Sequence, residues 1–394
     1  MKVLRVAFDG LLFSDKKIGI VNYIHYLILE LLKRDDPSFL VDVYVDEKYT
    51  DHFVGNAKNV RIIPVKIWSR THRLFRQYTL GRVLKGTYHL FFSPDYPLPL
   101  FLSRRTKSIV VIPDVSIHNN RSDFIFLRYL AKKIGYRWAV SRADAIVTYS
   151  KAVADNLLTC YPSLRSKTIT PIWLGRSPQF ENSELRTKSY LDEVKRKYHL
   201  PDAYFLFVGT IMPRKNLLGV LKAFEAVHEH IALDLIVVGA RGWKYDNIFA
   251  FLERASIKKR VHFLGYVNDE DLPALYAQAQ FLVFPSFEEG FGIPIVEAFS
   301  VGCPVITSNC SSMIEIAQGH SILVDPRNCQ ELSNALVRLC NDPLELERQK
   351  KLSTAGGMKF SWQTTASQTL QLIRSLCGTS DPSGERLHTL AKKE

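Results

Sequence analysis

Short runs of β-branched and aromatic residues alternate with longer helix-period segments almost from one end of this chain to the other. Parallel strands need a crossover long enough to hold a helix, so this alternation constrains the fold to an α/β class with parallel sheets covered by helices. In the first half, VLRVAFDG, FLVDVYVD, VRIIPV, HLFFSP, SIVVIPD and DAIVTYS are predicted strands, with helices over 21–32 and 127–140. The regular pattern lapses between 168 and 201, then restarts with AYFLFVGT, LDLIVVGA, RVHFLGY, AQFLVFPS, PVITSN and SILVDP. A chain of 394 residues exceeds what one hydrophobic core usually supports, so two domains are expected. The expected boundaries are 1–175 for an N-terminal domain, 176–202 for a linker, 203–361 for a C-terminal domain, 362–378 for a last helix and 379–394 for a disordered tail.

Composition narrows the function. The six cysteines form no CxxC pair and no Cys/His cluster at zinc spacing, and no apolar run reaches membrane-spanning length, which fits a cytoplasmic protein without a metal site. Lys and Arg (52) exceed Asp and Glu (39), which favours an anionic partner. The excess is concentrated between Lys58 and Lys85, where eight basic and no acidic residues are interleaved with Trp68, Leu74, Phe75, Tyr78 and Leu80. Two readings stay open for this stretch. One is a basic amphipathic helix on the anionic inner face of a membrane, and the other is a solvated basic face. No RNA-recognition motif accompanies the charge, so nucleic acid is not an expected partner.

Two segments carry chemistry. In FVGTIMPRKNLLGVLKAFEAV, a strand ends at Gly209 and a helix follows with Leu217, Leu221, Phe224 and Val227 on one face. Arg214 and Lys215 stand at that helix start, where free N–H groups already favour an anion and where cations oppose the helix dipole. Their placement therefore suggests a ligand, with a diphosphate the natural guest. In FLVFPSFEEGFGIPIVEAFSVGCPVITSN, a strand runs into an acidic turn and then a helix near Pro294, a residue the first helical turn tolerates. Gly290 and Gly292 allow close backbone approach. Glu289 in the turn and Glu297 one turn into the helix are carboxylates able to accept hydrogen bonds from ribose and sugar hydroxyls.

Glu289-Gly-Phe-Gly-Ile-Pro-Ile-Val-Glu297 resembles the E-x7-E motif of glycosyltransferase family 4. Gly209-Thr210 with Pro213-Arg214-Lys215-Asn216 is similar to that family's phosphate-binding loop. GARGW (239–243), VHFLGYVNDEDLPAL (261–275), TSNCSS (307–312), Val324-Asp325-Pro326 and Phe360-Ser361-Trp362 with Thr365 are similar to its mannosyltransferase-like branch. The resemblance implies a GT-B fold, two Rossmann-like domains facing an inter-domain cleft, and a retaining transfer with no metal or other cofactor. It makes 1–175 the acceptor-binding domain and 203–361 the nucleotide-sugar-binding domain, with the helix 362–378 crossing back to the first. The substrate it implies is a nucleotide-diphosphate sugar, with GDP-mannose the first guess and a UDP-sugar the alternative. It assigns the donor diphosphate to Arg214 and Lys215, the donor ribose to Glu297, and the neighbourhood of the transferred sugar to Glu289. Backbone groups of Gly290, Phe291, Gly292 and Ile293 would contact sugar and phosphate, and the base would lie near Tyr266 and Val267.

The first half matches the family less fully. Gly19-Ile-Val-Asn-Tyr23 stands where the family often has G-I-G-R-Y, so Gly19 is carried over as donor-binding while Val21 replaces the second glycine. After SIVVI the family commonly has His-Asp, and here the pair is Pro113-Asp114, which leaves Asp114 as the catalytic candidate of this half. His118 follows a few residues later. These departures support a competing reading, a catalytically weak relative that acts as a nucleotide-sugar-binding or scaffolding subunit. The full set of Arg214, Lys215, Glu289 and Glu297 supports a working hexosyltransferase that uses a saccharide or lipid-linked acceptor in surface polysaccharide or glycolipid assembly. A dinucleotide-dependent oxidoreductase would need G-x-G-x-x-G after the first strand, and FDGLLFSDKKIG lacks that spacing.

Overall fold

The computed structural model describes residues 3–14, 19–66, 88–96, 98–99, 101–115 and 126–378, with the single positions 80 and 84. The chain divides into two compact units, Met1–Gly175 with the segment from Trp362 onward, and Arg176–Ser361. Most of the basic stretch beyond Lys66, His118 and the tail after 378 lie outside the described residues.

Among the described residues, the first unit is built on seven parallel strands: β1 (Leu4–Asp9), β2 (Phe39–Asp46), β3 (Val60–Val65), β4 (Leu90–Ser93), β5 (Lys107–Ile112), β6 (Ala145–Thr148) and β7 (Thr168–Pro171). Their order is β3-β2-β1-β4-β5-β6-β7. Central strands such as β5 and β6 are buried on both faces, which is why they read as unbroken apolar runs. Pro64 sits in the edge strand β3, where its missing N–H costs no ladder bond. The strand β7 was not expected, since its sequence TITP lies where the pattern lapses; it forms by pairing with β6, Val147 opposite Thr170. As a four-residue edge strand ending in proline, it carries too little periodicity to stand out in the sequence.

The helix Trp362–Cys377 belongs to this first unit. It buries Trp362, Ala366, Leu370 and Ile373, and Thr365 donates its hydroxyl to the Trp173 carbonyl at 2.7 Å. Arg374 pairs with Asp36 and lies over the Phe39 ring at 4.7 Å. Gly175 lies hard against the helix start, since a Cβ there would come 2.3 Å from the Trp362 nitrogen.

The second unit contains β8 (Tyr204–Val208), β9 (Asp234–Val238), β10 (Val261–Gly265), β11 (Leu282–Phe284), β12 (Val305–Ser308) and β13 (Ile322–Val324), all parallel, in the order β10-β9-β8-β11-β12-β13. The helix Leu217–Val227 docks on β8 through Phe224, which meets Phe205 edge-on at 5.0 Å, while Phe205 stacks on Phe281 at 5.4 Å. Burying each such ring contributes about 2–3 kcal/mol, enough to fix the loop between β8 and its helix in place. Residues 176–202 are part of this unit and carry the helix Lys188–Lys197. Tyr190, Lys197 and Tyr198 tie that helix to Asp271, with contacts of 2.7–2.9 Å. Among the described residues, no helix is long and apolar enough to cross a membrane.

Candidate active site

Strand order reverses between β8 and its neighbour β11, and ligands in open α/β sheets bind outside the carboxyl ends of strands at such a point. The loop after β8 carries Arg214 and Lys215, and the loop after β11 carries Glu289. Lys215 Nζ lies 2.7 Å from Glu289 Oε1, and Arg214 Nη1 donates to Oε2 at 2.9 Å and to the Glu288 carbonyl. The two cations are therefore held by one carboxylate from the facing loop. Burial alone would raise the Glu289 carboxyl, but Lys215 and Arg214, with hydrogen bonds from Lys215 and Ser286, outweigh it and hold the group below its usual range. Glu289 thus stays ionised at neutral pH, and the three charged groups carry a net positive charge.

The backbone of both loops is pinned. Arg214 and Lys215 occupy a short turn, Pro213–Lys215, that ends at Asn216 in the left-handed region (φ 59°), after which the helix Leu217–Val227 begins. Asn tolerates this conformation better than most residues. Buried, its side-chain amide donates to Pro285 O at 3.2 Å and Pro326 O at 2.8 Å, which joins the β8 loop to the loops after β11 and β13. Phe287 N adds a bond to Arg214 O at 2.9 Å. From the other side, Ser311 and Ser312 each donate a hydroxyl to Glu289 O at 3.0 Å. Gly239 must be glycine, because its φ is 141° and a Cβ would stand 2.1 Å from Gly209 O. That close approach sets the β9 loop against Gly209 and Thr210, and Ile211 N bonds Ala240 O at 2.9 Å.

Glu297 sits in the helix Ile293–Ser300, which Pro294 opens and Gly292 precedes at φ 115°. It is buried, and Tyr276 donates its hydroxyl to Oε2 at 2.8 Å. Burial, with a smaller contribution from Asp269, pushes its carboxyl up to about 7 against the opposing effects of Tyr276 and Lys215. The two carboxylates of this site are thereby driven apart, one held ionised and one poised between forms at neutral pH. A group of the second kind can accept or donate a hydrogen bond to a hydroxyl.

The other expected residues fall in varied settings. Tyr266 is 67% exposed at the end of β10, whereas Val267 and Phe291 are buried and offer a ligand only their backbones. Phe291 packs against Phe360 at 5.9 Å. In the first unit, Gly19 opens the helix Gly19–Leu32, and Asp114 follows β5, its carbonyl accepting from the Tyr136 hydroxyl at 3.3 Å. Tyr276, Ser311 and Ser312 had no part assigned from sequence. Both serines lie in the recognised TSNCSS segment, but nothing local marks Tyr276, 21 residues from its partner Glu297.

A family model for glycosyl transferases group 1 matches residues 192–357. The O-antigen chain mannosyltransferase B of Escherichia coli is 30% identical over 299 residues, covering 73% of this chain and 74% of that protein. The chain belongs to the group 1 glycosyltransferases. It is also similar to a serotype-specific mannosyltransferase of Escherichia coli, 28% identical over 229 residues, although it spans only 28% of that longer protein and 57% of this chain is matched. In fold, this transferase is similar to a sucrose-phosphate synthase from Thermosynechococcus elongatus (TM-score 0.70, 19% identity, 96% of this chain and 100% of that one). It is likewise similar to the Anabaena protein HepE in complex with UDP and glucose (TM-score 0.69, 17% identity, 94% and 100%). The fold is GT-B, with two Rossmann-like domains of parallel sheet.

Proposed function

We propose that this group 1 glycosyltransferase is a retaining, metal-independent hexosyltransferase of family 4, in its mannosyltransferase-like branch. It moves mannose from GDP-mannose to a saccharide or lipid-linked acceptor in surface polysaccharide assembly, with a UDP-sugar as the alternative donor. The observation that carries the reading is the grip of Arg214 and Lys215 on Glu289 at the strand-order reversal. The names of the similar mannosyltransferases support the sugar and the process.

In this reading the donor diphosphate lies on Arg214 and Lys215, and Glu297 takes the ribose. As the bond from the anomeric carbon to the diphosphate breaks, negative charge grows on the departing phosphate and positive charge on the sugar. Arg214 and Lys215 stabilise the first, and the ionised Glu289 favours the second. The acceptor oxygen bonds to the anomeric carbon on the same face, and its proton passes to the departing phosphate oxygen. Losing one such fixed charge typically costs about 3 kcal/mol of barrier, on the order of a hundredfold in rate.

The deciding experiment is thermal-shift and calorimetric binding of GDP, UDP, ADP and their sugar conjugates to the wild type, Arg214→Ala and Glu297→Ala. Stabilisation by one nucleotide family that both substitutions remove supports the donor site and identifies the base. No stabilisation by any of them removes the transferase reading and favours a subunit without donor turnover.

A further inference from the structure

On the second unit lies a cavity of about 360 Å³ that no part of the donor reading uses. Its wall combines apolar side chains, Leu217, Ile248 and Leu332 among them, with three cations, Lys222, Lys244 and Arg327. Among the described residues, no acidic one lines it. Beside Arg327, Asp325 accepts from Arg327 N at 2.9 Å, and Glu331 accepts from Asp325 N and from the Asn328 amide, both at 2.9 Å. Beside Lys222, Glu225 accepts from Ser256 N and Ile257 N. Leu217, Ile248 and Leu332 are buried and the three cations exposed, so a hydrophobic floor lies beneath a positive rim. A recess of this size and make-up suits a small molecule with an apolar body and one anionic end, since apolar lining with a few placed charges is the usual form of a ligand pocket.

The recess also touches the donor loop. Met212, Pro213 and Asn216, which flank the Arg214–Lys215 pair, line it, as does Phe287, whose amide bonds Arg214 O, while neither Arg214 nor Lys215 does. Asn216 is the residue that fixes the turn, through its left-handed backbone and its bonds to Pro285 and Pro326. Pressure on this wall would shift the turn that presents the two cations.

We propose that this recess is an effector site for a small amphiphilic phosphate, seated with its anion among Lys222, Lys244 and Arg327 and coupled through Asn216 to the donor loop. The coupling rests on the reading of Arg214 and Lys215 as the donor-diphosphate pair; the binding itself does not. Two ligands that bias one turn must affect each other's affinity equally.

The test is calorimetry of the full chain with 1-naphthyl phosphate, beside 1-naphthol and inorganic phosphate, which each hold half of the required chemistry. Saturable binding of 1-naphthyl phosphate alone is expected. The double charge reversal Lys222→Glu with Arg327→Glu should weaken it by roughly tenfold or more, with the thermal midpoint unchanged. Arg214→Ala should leave it intact. No saturable binding, an affinity insensitive to the reversal, or loss of binding in Arg214→Ala would each overturn the site, the last by placing the probe on the donor loop. GDP and UDP are then titrated with and without saturating probe. A change in nucleotide affinity of about threefold or more supports the coupling, and identical affinities overturn it. If neither nucleotide binds in either condition, the donor reading has failed, while the probe isotherm still reports on the recess.

Discussion

Lys215 Nζ stands 2.7 Å from Glu289 Oε1, so a carboxylate from the loop after β11 neutralises a cation from the loop after β8 at the point where a diphosphate is expected to bind. Arg214 shares the same carboxylate through its other oxygen. Glu289 both holds the two cations in position and competes for them with an anionic ligand.

Glu289→Gln removes that competition while keeping the shape of the side chain. The affinity for a nucleoside diphosphate without its sugar is expected to rise by roughly tenfold, about 1.4 kcal/mol, while transfer slows. Calorimetry with GDP and UDP alongside a transfer assay checks this. Unchanged or weaker nucleotide binding would mean the cations do not face the diphosphate.

Glu297→Gln is expected to change stability in a pH-dependent way. Below about 4.5, the usual value of the group, the carboxyl is protonated in both folded and unfolded chains. Between there and about 7 the folded chain retains the proton and the unfolded chain does not, so wild-type stability falls as pH rises. Above 7 the buried carboxylate carries its full cost. The variant should match the wild type near pH 4.5 and exceed it by about 3–4 kcal/mol at pH 8, as urea unfolding at the two pH values would reveal. A difference independent of pH would contradict the burial argument.

Asn216 supplies both a left-handed backbone and two bonds to buried carbonyls. Asn216→Ala loses both, and a cost of about 2–4 kcal/mol is expected. Asn216→Gly keeps the backbone conformation and should lose less. Denaturant midpoints in the order wild type, glycine, alanine are predicted; alanine equal to glycine would show that the backbone conformation contributes nothing.

Peripheral membrane binding is a prediction from sequence alone. Neutralising Arg70, Arg73 and Arg76, which lie outside the described residues, should reduce co-sedimentation with vesicles containing anionic lipid, and more so at low salt. Equal sedimentation of variant and wild type would leave the stretch as a solvated basic face.

What the sequence determined by itself was everything written in local periodicity and local spacing. The parallel α/β class follows from apolar runs long enough to be strands, separated by helix-length crossovers. Arg214, Lys215, Glu289 and Glu297 were legible because each stands in a short segment where its own neighbours, glycines, prolines and a following helix, give it a reason to be there. The strand Thr168–Pro171 was not, because an edge strand is specified by the partner it pairs with more than by its own four residues. Tertiary structure alone decided which charges meet. Arg214 and Glu289 are 75 residues apart and become partners only because β8 and β11 are neighbours in the sheet. The same holds for Tyr276 against Glu297 and for the serines that hold Glu289, and for the amide of Asn216, which spans 110 residues to Pro326. Charge pairing, burial and the resulting proton affinities depend on distance in space, and the order of strands in a sheet sets that distance.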